Sequence, residues 1–234
     1  MKFNKSLLSA IFCWLTLFSC SSQLAKESAT AVAAKTTSAS LLPAGPVTPN
    51  PYLQNKPILS ATTAAQFQNA VANMQQKKWD QAQALLQALA NENPKLSGVQ
   101  LNLGIVYRAK GERDKASVAF AQAIQSNPQN LDAYNQLAIL QREAGKFGEA
   151  ESLYQQALAV WPFHSESHKN IAILYELYLG RPEQALPHYL AYQQLLASPD
   201  KQVDSWIADL QRRLNPGKKA AADADKANPQ AEEK

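Results

Sequence analysis

Two histidines are the residues whose type and spacing first suggest chemistry. His164 and His168 are four residues apart, which would place two imidazoles on one face of a helix at a spacing that suits zinc. Pro162 lies close upstream, so His164 falls at or before the start of such a helix. No cysteine or acidic residue accompanies the pair at a fixed ligand offset. We therefore predict that the histidines serve packing and that there is no metal site.

Motifs for catalysis are absent from the sequence. It contains no His-Glu-x-x-His pair, no glycine-rich phosphate loop and no Gly-x-Ser-x-Gly elbow. The tyrosines and three tryptophans fall mostly at positions that a helical core would use, so stacking on a ligand is the weaker interpretation; these are Trp79, Trp161 and Trp206. We predict that the protein is not an enzyme and uses no cofactor.

The N-terminus has the pattern of an export signal. Lys2 and Lys5 precede an apolar run of 12 residues, 7–18, which is shorter than the roughly 20 apolar residues of a spanning helix. The run ends in Leu17-Phe18-Ser19-Cys20, which resembles the lipobox of bacterial lipoproteins, with a phenylalanine where that family usually has a small residue. The resemblance implies cleavage before Cys20 and lipid attachment there; ordinary cleavage and an inert cysteine are the alternatives.

The residues around Cys20 bear on location and redox state. In bacterial lipoproteins an aspartate directly after the lipidated cysteine favours the inner membrane, and here Ser21 and Ser22 follow. The resemblance therefore implies the outer membrane, facing the periplasm. A signal peptide over 1–19 would remove Cys13, so no disulfide is expected. It would also lower the formal net charge from +4 to +2, which is too near neutral to indicate nucleic acid.

Two segments have the composition of disordered chain. Residues 20–60 are rich in Ala, Ser, Thr and Pro, which predicts a flexible tether. A few of its residues are apolar enough to dock on the folded part, namely Tyr52, Leu53, Ile58 and Leu59. Residues 215–234 begin with Asn-Pro-Gly and continue as an alanine-rich stretch of balanced charge, which predicts a disordered tail.

The region between these segments repeats with a period of 34 residues. Pro94, Pro128 and Pro162 have this spacing, and so do Gly111 and Gly145. The second copy resembles the signature of tetratricopeptide repeats without its leading tryptophan; it reads Gln100-x2-Leu103-Gly104-x2-Tyr107, Ala116-x3-Phe120 and Pro128. The third copy reads Tyr134-x2-Leu137-Ala138-x2-Gln141, Ala150-x3-Tyr154 and Pro162.

The resemblance implies an all-α fold, a right-handed superhelical array of about four helical hairpins with a capping helix. The folded part is predicted over 61–214, with repeats at about 63–96, 97–130, 131–164 and 165–199 and a cap at 201–214. In the fourth repeat Gly180 falls one residue late, which predicts a turn longer by one residue. Pro187 should bend the second helix of that repeat or remove one of its hydrogen bonds.

The resemblance also implies a concave groove in which the first helices of the repeats bind a peptide through their fifth, ninth and twelfth positions. The ninth positions are all aliphatic and predict an apolar floor: Val71, Ile105, Ile139 and Ile173. The fifth positions are Phe67, Leu101, Asn135 and Lys169, and the twelfth are Met74, Arg108, Arg142 and Glu176. An amphipathic or extended apolar segment with an acidic residue for Arg108 or Arg142 would fit. The alternative is that the aliphatic residues only pack between neighbouring helices.

Together these patterns predict an outer-membrane lipoprotein that acts as a periplasmic adaptor for another envelope protein, without nucleic acid and with the membrane reached through the lipid only. The layout is similar to that of tetratricopeptide lipoproteins that assist pilus secretin assembly, recruit cell-wall hydrolases or accompany energy-transducing complexes. Self-association as a structural protein is the alternative, and a metal-binding or ligand-binding role is a third possibility.

Overall fold

The chain folds into antiparallel helical hairpins that follow one another along the sequence. The structure is a computed structural model, and it describes residues 41–215. The predicted signal peptide, the lipid site at Cys20, the first half of the predicted tether and nearly all of the predicted tail lie outside these residues. Within the described range there is no β-strand, and no helix is both long and apolar enough to cross a bilayer.

Four hairpins and a terminal helix account for nearly all of the described residues. A short helix α1 (Pro51–Gln54) precedes them. The hairpins are α2 (Ala61–Gln75) with α3 (Trp79–Glu92), α4 (Ser97–Ala109) with α5 (Arg113–Ser126), α6 (Leu131–Glu143) with α7 (Phe147–Val160), and α8 (Ser165–Ile173) with α9 (Pro182–Leu195). Helix α10 (Lys201–Leu214) follows. The predicted all-α array of hairpins with a capping helix is confirmed for this part of the chain.

Glycines end the first helix of three hairpins. Gly111, Gly145 and Gly180 have φ of 79°, 77° and 62°. Glycine enters this left-handed region without a steric penalty because it has no Cβ atom. The first hairpin has Lys77 at this place, with φ of 57°. A side chain therefore occupies a conformation that costs an L-residue about 1–2 kcal/mol.

Small residues on each first helix let the second helix approach closely. A Cβ atom built on Gly104 would lie 2.5 Å from the ring of Phe120, so nothing larger than hydrogen fits there. The next two hairpins have Ala138 and Ala172 at this position, and both are fully buried. The core consequently continues from hairpin to hairpin, which is what a solenoid requires because one hairpin cannot bury its own apolar face.

The fourth hairpin absorbs its additional residue inside a helix. The turn between its helices spans 179–181, so it has three residues, as the turns of the other hairpins do. The prediction of a longer turn was therefore wrong. Instead α8 ends in a π-helical turn, Leu174–Tyr178. One extra residue in a helical turn is what a π-bulge accommodates. Helix α9 continues through Pro187.

Helix α10 covers the last hairpin. It packs against α9 and buries Val203, Ile207 and Leu210 in the core of that hairpin. Its N-terminus is capped by Asp200, whose carboxylate accepts hydrogen bonds from the backbone N–H groups of Gln202 and Val203. Without this helix the apolar side of the fourth hairpin would face water.

Candidate peptide-binding groove

The first helices of the four hairpins lie along the inner side of the array. Helices α2, α4, α6 and α8 each contact the next first helix, whereas the second helices are farther from one another. Consecutive first helices therefore lie side by side along the array. This arrangement positions the predicted groove residues, since all of them belong to first helices.

The aliphatic side chains at the ninth positions form a row of partly exposed residues. Ile105, Ile139 and Ile173 are each partly exposed, and each packs with one side against the core. Val71 occupies the same place in α2 and is also partly exposed. These side chains therefore contribute to the core and also leave apolar surface on the first helices.

The fifth positions contribute less surface than the sequence suggests. Leu101 and Asn135 are only 9% and 5% exposed. The Asn135 side chain oxygen accepts a hydrogen bond from Asn170 at 3.1 Å, so this amide links two first helices. Lys169 is partly exposed, but its ammonium group lies 3.1 Å from the Asp200 carboxylate. Among the fifth positions Phe67 in α2 keeps a partly exposed apolar side chain.

Arg108 is already paired within the chain. Its guanidinium donates to Glu143 at 2.5 Å and to Gln136 at 3.0 Å. Both partners lie on α6, the next first helix. A partner's carboxylate would have to displace Glu143 to reach Arg108, so this arginine connects hairpins rather than presenting a free charge.

Arg142 differs from Arg108 because no described carboxylate pairs with it. Two of its nitrogens, Nε and Nη1, are buried and have no hydrogen-bond partner among residues 41–215. The guanidinium lies 5.4 Å from the ring centroid of Tyr178, at the end of the π-helical turn. The neighbouring Tyr154 hydroxyl is also buried without a partner. A carboxylate that reached this guanidinium would form charge-assisted hydrogen bonds, which are stronger than neutral ones.

The charges around Arg142 act on two buried tyrosines. Burial raises the pKa of Tyr154 to about 12, and the charges of Arg142 and Arg108 oppose this rise. Burial likewise raises the pKa of Tyr189, with the Glu176 carboxylate acting in the same direction. Both hydroxyls are therefore protonated at neutral pH.

The π-helical turn places apolar surface next to Arg142. Leu177 and Tyr178 are 68% and 46% exposed, and the Tyr178 ring lies 5.3 Å from that of Phe147. The sequence did not predict this cluster, because it depends on where the additional residue of the fourth repeat is accommodated. An apolar group beside an unpaired arginine matches a segment that carries both a hydrophobic and an acidic side chain.

The histidines form a largely buried pair that the sequence did not predict. His168 Nδ1 lies 2.9 Å from Nδ1 of His188, and His168 Nε2 lies 2.9 Å from the carbonyl oxygen of Pro162. Because only a protonated Nε2 can bond a carbonyl, His168 offers Nδ1 as acceptor and His188 donates to it. Burial lowers the pKa of His188 to about 3 and also lowers that of His168. Within residues 41–215 no three metal-binding side chains come together.

The segment before the first hairpin lies against the array. We call residues 48–59 the strap. Trp161 Nε1 donates to the carbonyl oxygen of Thr48 at 3.1 Å, and Asn55 donates to the side chain of Gln129 at 3.1 Å. Both contacted residues stand in turns that join one hairpin to the next. The strap therefore runs along one edge of the array, and this part of the predicted tether makes fixed contacts.

Known proteins with this architecture are similar in sequence and in structure. Models of the tetratricopeptide repeat match residues 67–130, 99–162 and 129–196, more than half of the chain taken together.

PilF of Pseudomonas aeruginosa superposes with a TM-score of 0.59 at 20% identity, over 66% of this chain and 69% of PilF. TTC0263, a tetratricopeptide repeat protein of Thermus thermophilus, gives 0.54 at 22% identity, over 68% and 84%. The MamA RS-1 ArsTM double mutant gives 0.57 at 12%, over 70% and 92%. At these identities the likeness shows the fold alone. No curated protein is significantly similar in sequence.

Proposed function

Because the chain belongs to the tetratricopeptide repeat family, we propose that it is an adaptor that holds a peptide segment of another protein in its inner groove. Members of this family are generally scaffolds without catalytic activity, and we propose the same here. The observation that carries the proposal is Arg142, which has no carboxylate partner among residues 41–215 and follows Ile139 by one helical turn in the row of partly exposed isoleucines. Apolar contacts would give affinity, and the arginine would select the acidic residue.

The proposed peptide has a definite chemistry. One apolar side chain lies over Ile105 and Ile139, a second contacts Leu177 and Tyr178, and an acidic side chain reaches the guanidinium of Arg142. A helical segment with apolar residues at i, i+3 and i+4 or an extended segment with alternating apolar residues satisfies this pattern. Arg108 contributes only through its pair with Glu143.

We further propose that the adaptor works at the periplasmic face of the outer membrane, anchored by lipid at Cys20. The support is the sequence of the N-terminus, in which a charged start and a short apolar run lead into Leu-Phe-Ser-Cys. The partner would then be an envelope protein, such as a component of a pilus, of a cell-wall enzyme complex or of an energy-transducing complex. Labelled fatty acid should enter the wild type and not the Cys20→Ser variant; equal labelling of both would refute lipidation at this residue.

Crosslinking tests the groove in the cell. A photoreactive amino acid placed at Ile139 should capture a specific envelope protein, and the same probe at Val118 should not. Val118 is the matched control because it is an aliphatic residue, 57% exposed, on a second helix. The Arg142→Glu change should abolish capture from Ile139. Equal capture from both positions, or capture that survives Arg142→Glu, would contradict the proposal.

Folding must be checked beside capture. Ile139 packs partly against the core, so Ile139→Asp should lower the free energy of unfolding by about 1–2 kcal/mol, the value of partly burying one aliphatic side chain. Val118→Asp should change it by less than about 0.5 kcal/mol. A folded Ile139→Asp protein without capture supports the groove, whereas a collapse in thermal melting would show that Ile139 is a core residue only.

Self-association is the second candidate, and the exposed pair Leu177 and Tyr178 favours it. Light scattering over a hundredfold range of concentration distinguishes the two functions. A dimer that dissociates on Leu177→Asp would identify this pair as a contact between copies. A protein that is monomeric at all concentrations would instead support the adaptor function.

A further inference from the structure

A cavity lies between the strap and the first two hairpins. It has a volume of about 380 Å³, within the size range of pockets that hold small ligands. Its apolar walls come from the strap, from α2 and from the start of α4, and they consist of Tyr52, Leu59, Phe67, Leu96 and Val99. The strap thus closes one side of a space that the hairpins alone would leave open to solvent.

The polar end of the cavity is formed by the N-terminus of α4. Ser97 is only 5% exposed and lines the cavity, and its hydroxyl has no hydrogen-bond partner in the described part of the chain. No side chain caps this helix, and its first hydrogen bond runs from the N–H of Val99 to the carbonyl oxygen of Leu96. The N–H groups of Ser97 and Gly98 precede that bond and have no acceptor within the helix. The Ser97 hydroxyl and the two N–H groups are thus donors at the cavity wall that have no acceptor in the described part of the chain.

Two exposed lysines stand at the cavity. Lys56 and Lys95 line it, and neither forms an ion pair with any residue in 41–215. No aspartate or glutamate is among the lining residues. The helix N-terminus adds partial positive charge to that of the two lysines. A ligand that matched this end would carry a negative charge and hydrogen-bond acceptors.

We infer that this cavity binds a small amphiphilic carboxylate, whose aliphatic body lies between the strap and Phe67 and whose carboxylate meets Ser97 and the two lysines. The cavity combines apolar walls with lysines and hydrogen-bond donors. It therefore matches a molecule that has both an aliphatic body and a carboxylate. The inference goes beyond the adaptor function, because Arg142 and the isoleucine row take no part in it.

Octanoate is a suitable probe, with calorimetry of the full chain as the measurement. We expect saturable binding of one octanoate, no detectable binding of acetate, and affinity for octanol that is weaker by about tenfold or more, since a hydrogen-bonded charge contributes about 1.5–3 kcal/mol. Equal affinity for octanoate and octanol would overturn the inference, because it would show an apolar cavity without an anion site. Absence of saturable octanoate binding would overturn it as well.

Variants locate the site. Combining Lys56→Gln with Lys95→Gln should weaken octanoate binding by about tenfold, and Phe67→Ala should weaken it by a similar factor through loss of apolar contact. Lys78→Gln is the matched control, an exposed lysine outside the lining, and it should leave the affinity unchanged. Thermal melting confirms that each variant is folded. Octanoate binding that survives both site variants would place the ligand elsewhere and refute the inference.

A chain terminus is the other source of a carboxylate next to an apolar group. A short peptide ending in leucine, tested as the free acid and as the amide, separates this source from a small molecule. Binding of the peptide acid together with failure of octanoate would overturn the inference in favour of a partner's C-terminus. Octanoate binding without peptide binding supports it.

Discussion

The largely buried histidine pair makes the stability of the protein depend on pH in a range where few other groups titrate. His188 has a pKa of about 3 in the folded protein, against 6.5 for an ordinary histidine. The folded pKa is lower, so the unfolded chain binds more protons at intermediate pH. The stabilisation is therefore complete above pH 6.5 and is lost as the pH falls through 6.5 toward 3.

The size of the effect follows from this difference. Between pH 7 and pH 5 the unfolded histidine takes up about three-quarters of a proton, while folded His188 takes up almost none. With about 1.4 kcal/mol for each pKa unit, the free energy of unfolding should fall by about 2 kcal/mol over this range. His168 contributes in the same direction, since burial lowers its pKa too. The lowered pKa values of Glu112 and Asp200 start from 4.5 and 3.8, so their effects come mainly below pH 5.

Urea unfolding followed by circular dichroism at pH 7, 6 and 5 measures this loss. The His188→Asn variant keeps a donor at the place of Nδ1 and removes the titrating ring, so it should lose clearly less stability between pH 7 and pH 5 than the wild type does. An unchanged urea dependence of the free energy would show that the unfolded states are comparable. The reasoning is refuted if His188→Asn loses as much stability as the wild type, or if the wild type gains stability toward pH 5.

Further predictions concern the turns, the core and the strap. Lys77→Gly should raise the free energy of unfolding by up to about 1 kcal/mol in urea titration, because it relieves a left-handed backbone; a loss would show that the lysine side chain stabilises the turn. Gly104→Ala should lower it by about 1–3 kcal/mol, because the new methyl group collides with Phe120; a neutral result would mean that the helices separate freely. Trp161→Phe removes the donor to Thr48, so limited proteolysis should cut the strap faster at unchanged thermal stability; an unaltered rate would refute a fastening role for this bond.

The fold was predictable because its constraints are local and repeat. Glycines that end helices and small residues that admit a neighbouring ring recur every 34 residues, and each has one physical cause. The first hairpin shows where such a pattern can vary, because Lys77 adopts the backbone conformation that the other hairpins give to glycine. The π-helical turn was not predictable, since an additional residue can lengthen either a turn or a helix without changing the sequence pattern on both sides.

The site was less predictable because exposure and pairing depend on neighbours far along the chain. A position in a repeat fixes the helix face, but Asn135 is buried by its bond to Asn170 in the next hairpin. Arg108 and Arg142 occupy equivalent positions, yet among residues 41–215 only Arg108 pairs with a carboxylate, that of Glu143. Likewise the partner of His168 is His188, at a separation that no motif marks. The peptide-binding role of the groove residues stays a prediction.

The strap determines where the array would meet mechanical load. Thr48 is bound to Trp161, in the turn after the third hairpin, and lies away from the beginning of α2. Tension from that side would first act along the strap, where the bonds at Trp161 and Gln129 would oppose it. The first hairpin would be pulled open only after these bonds had broken, so the rate of forced unfolding would depend on their rupture. The strap thereby links the first hairpin mechanically to the turns after the second and third hairpins.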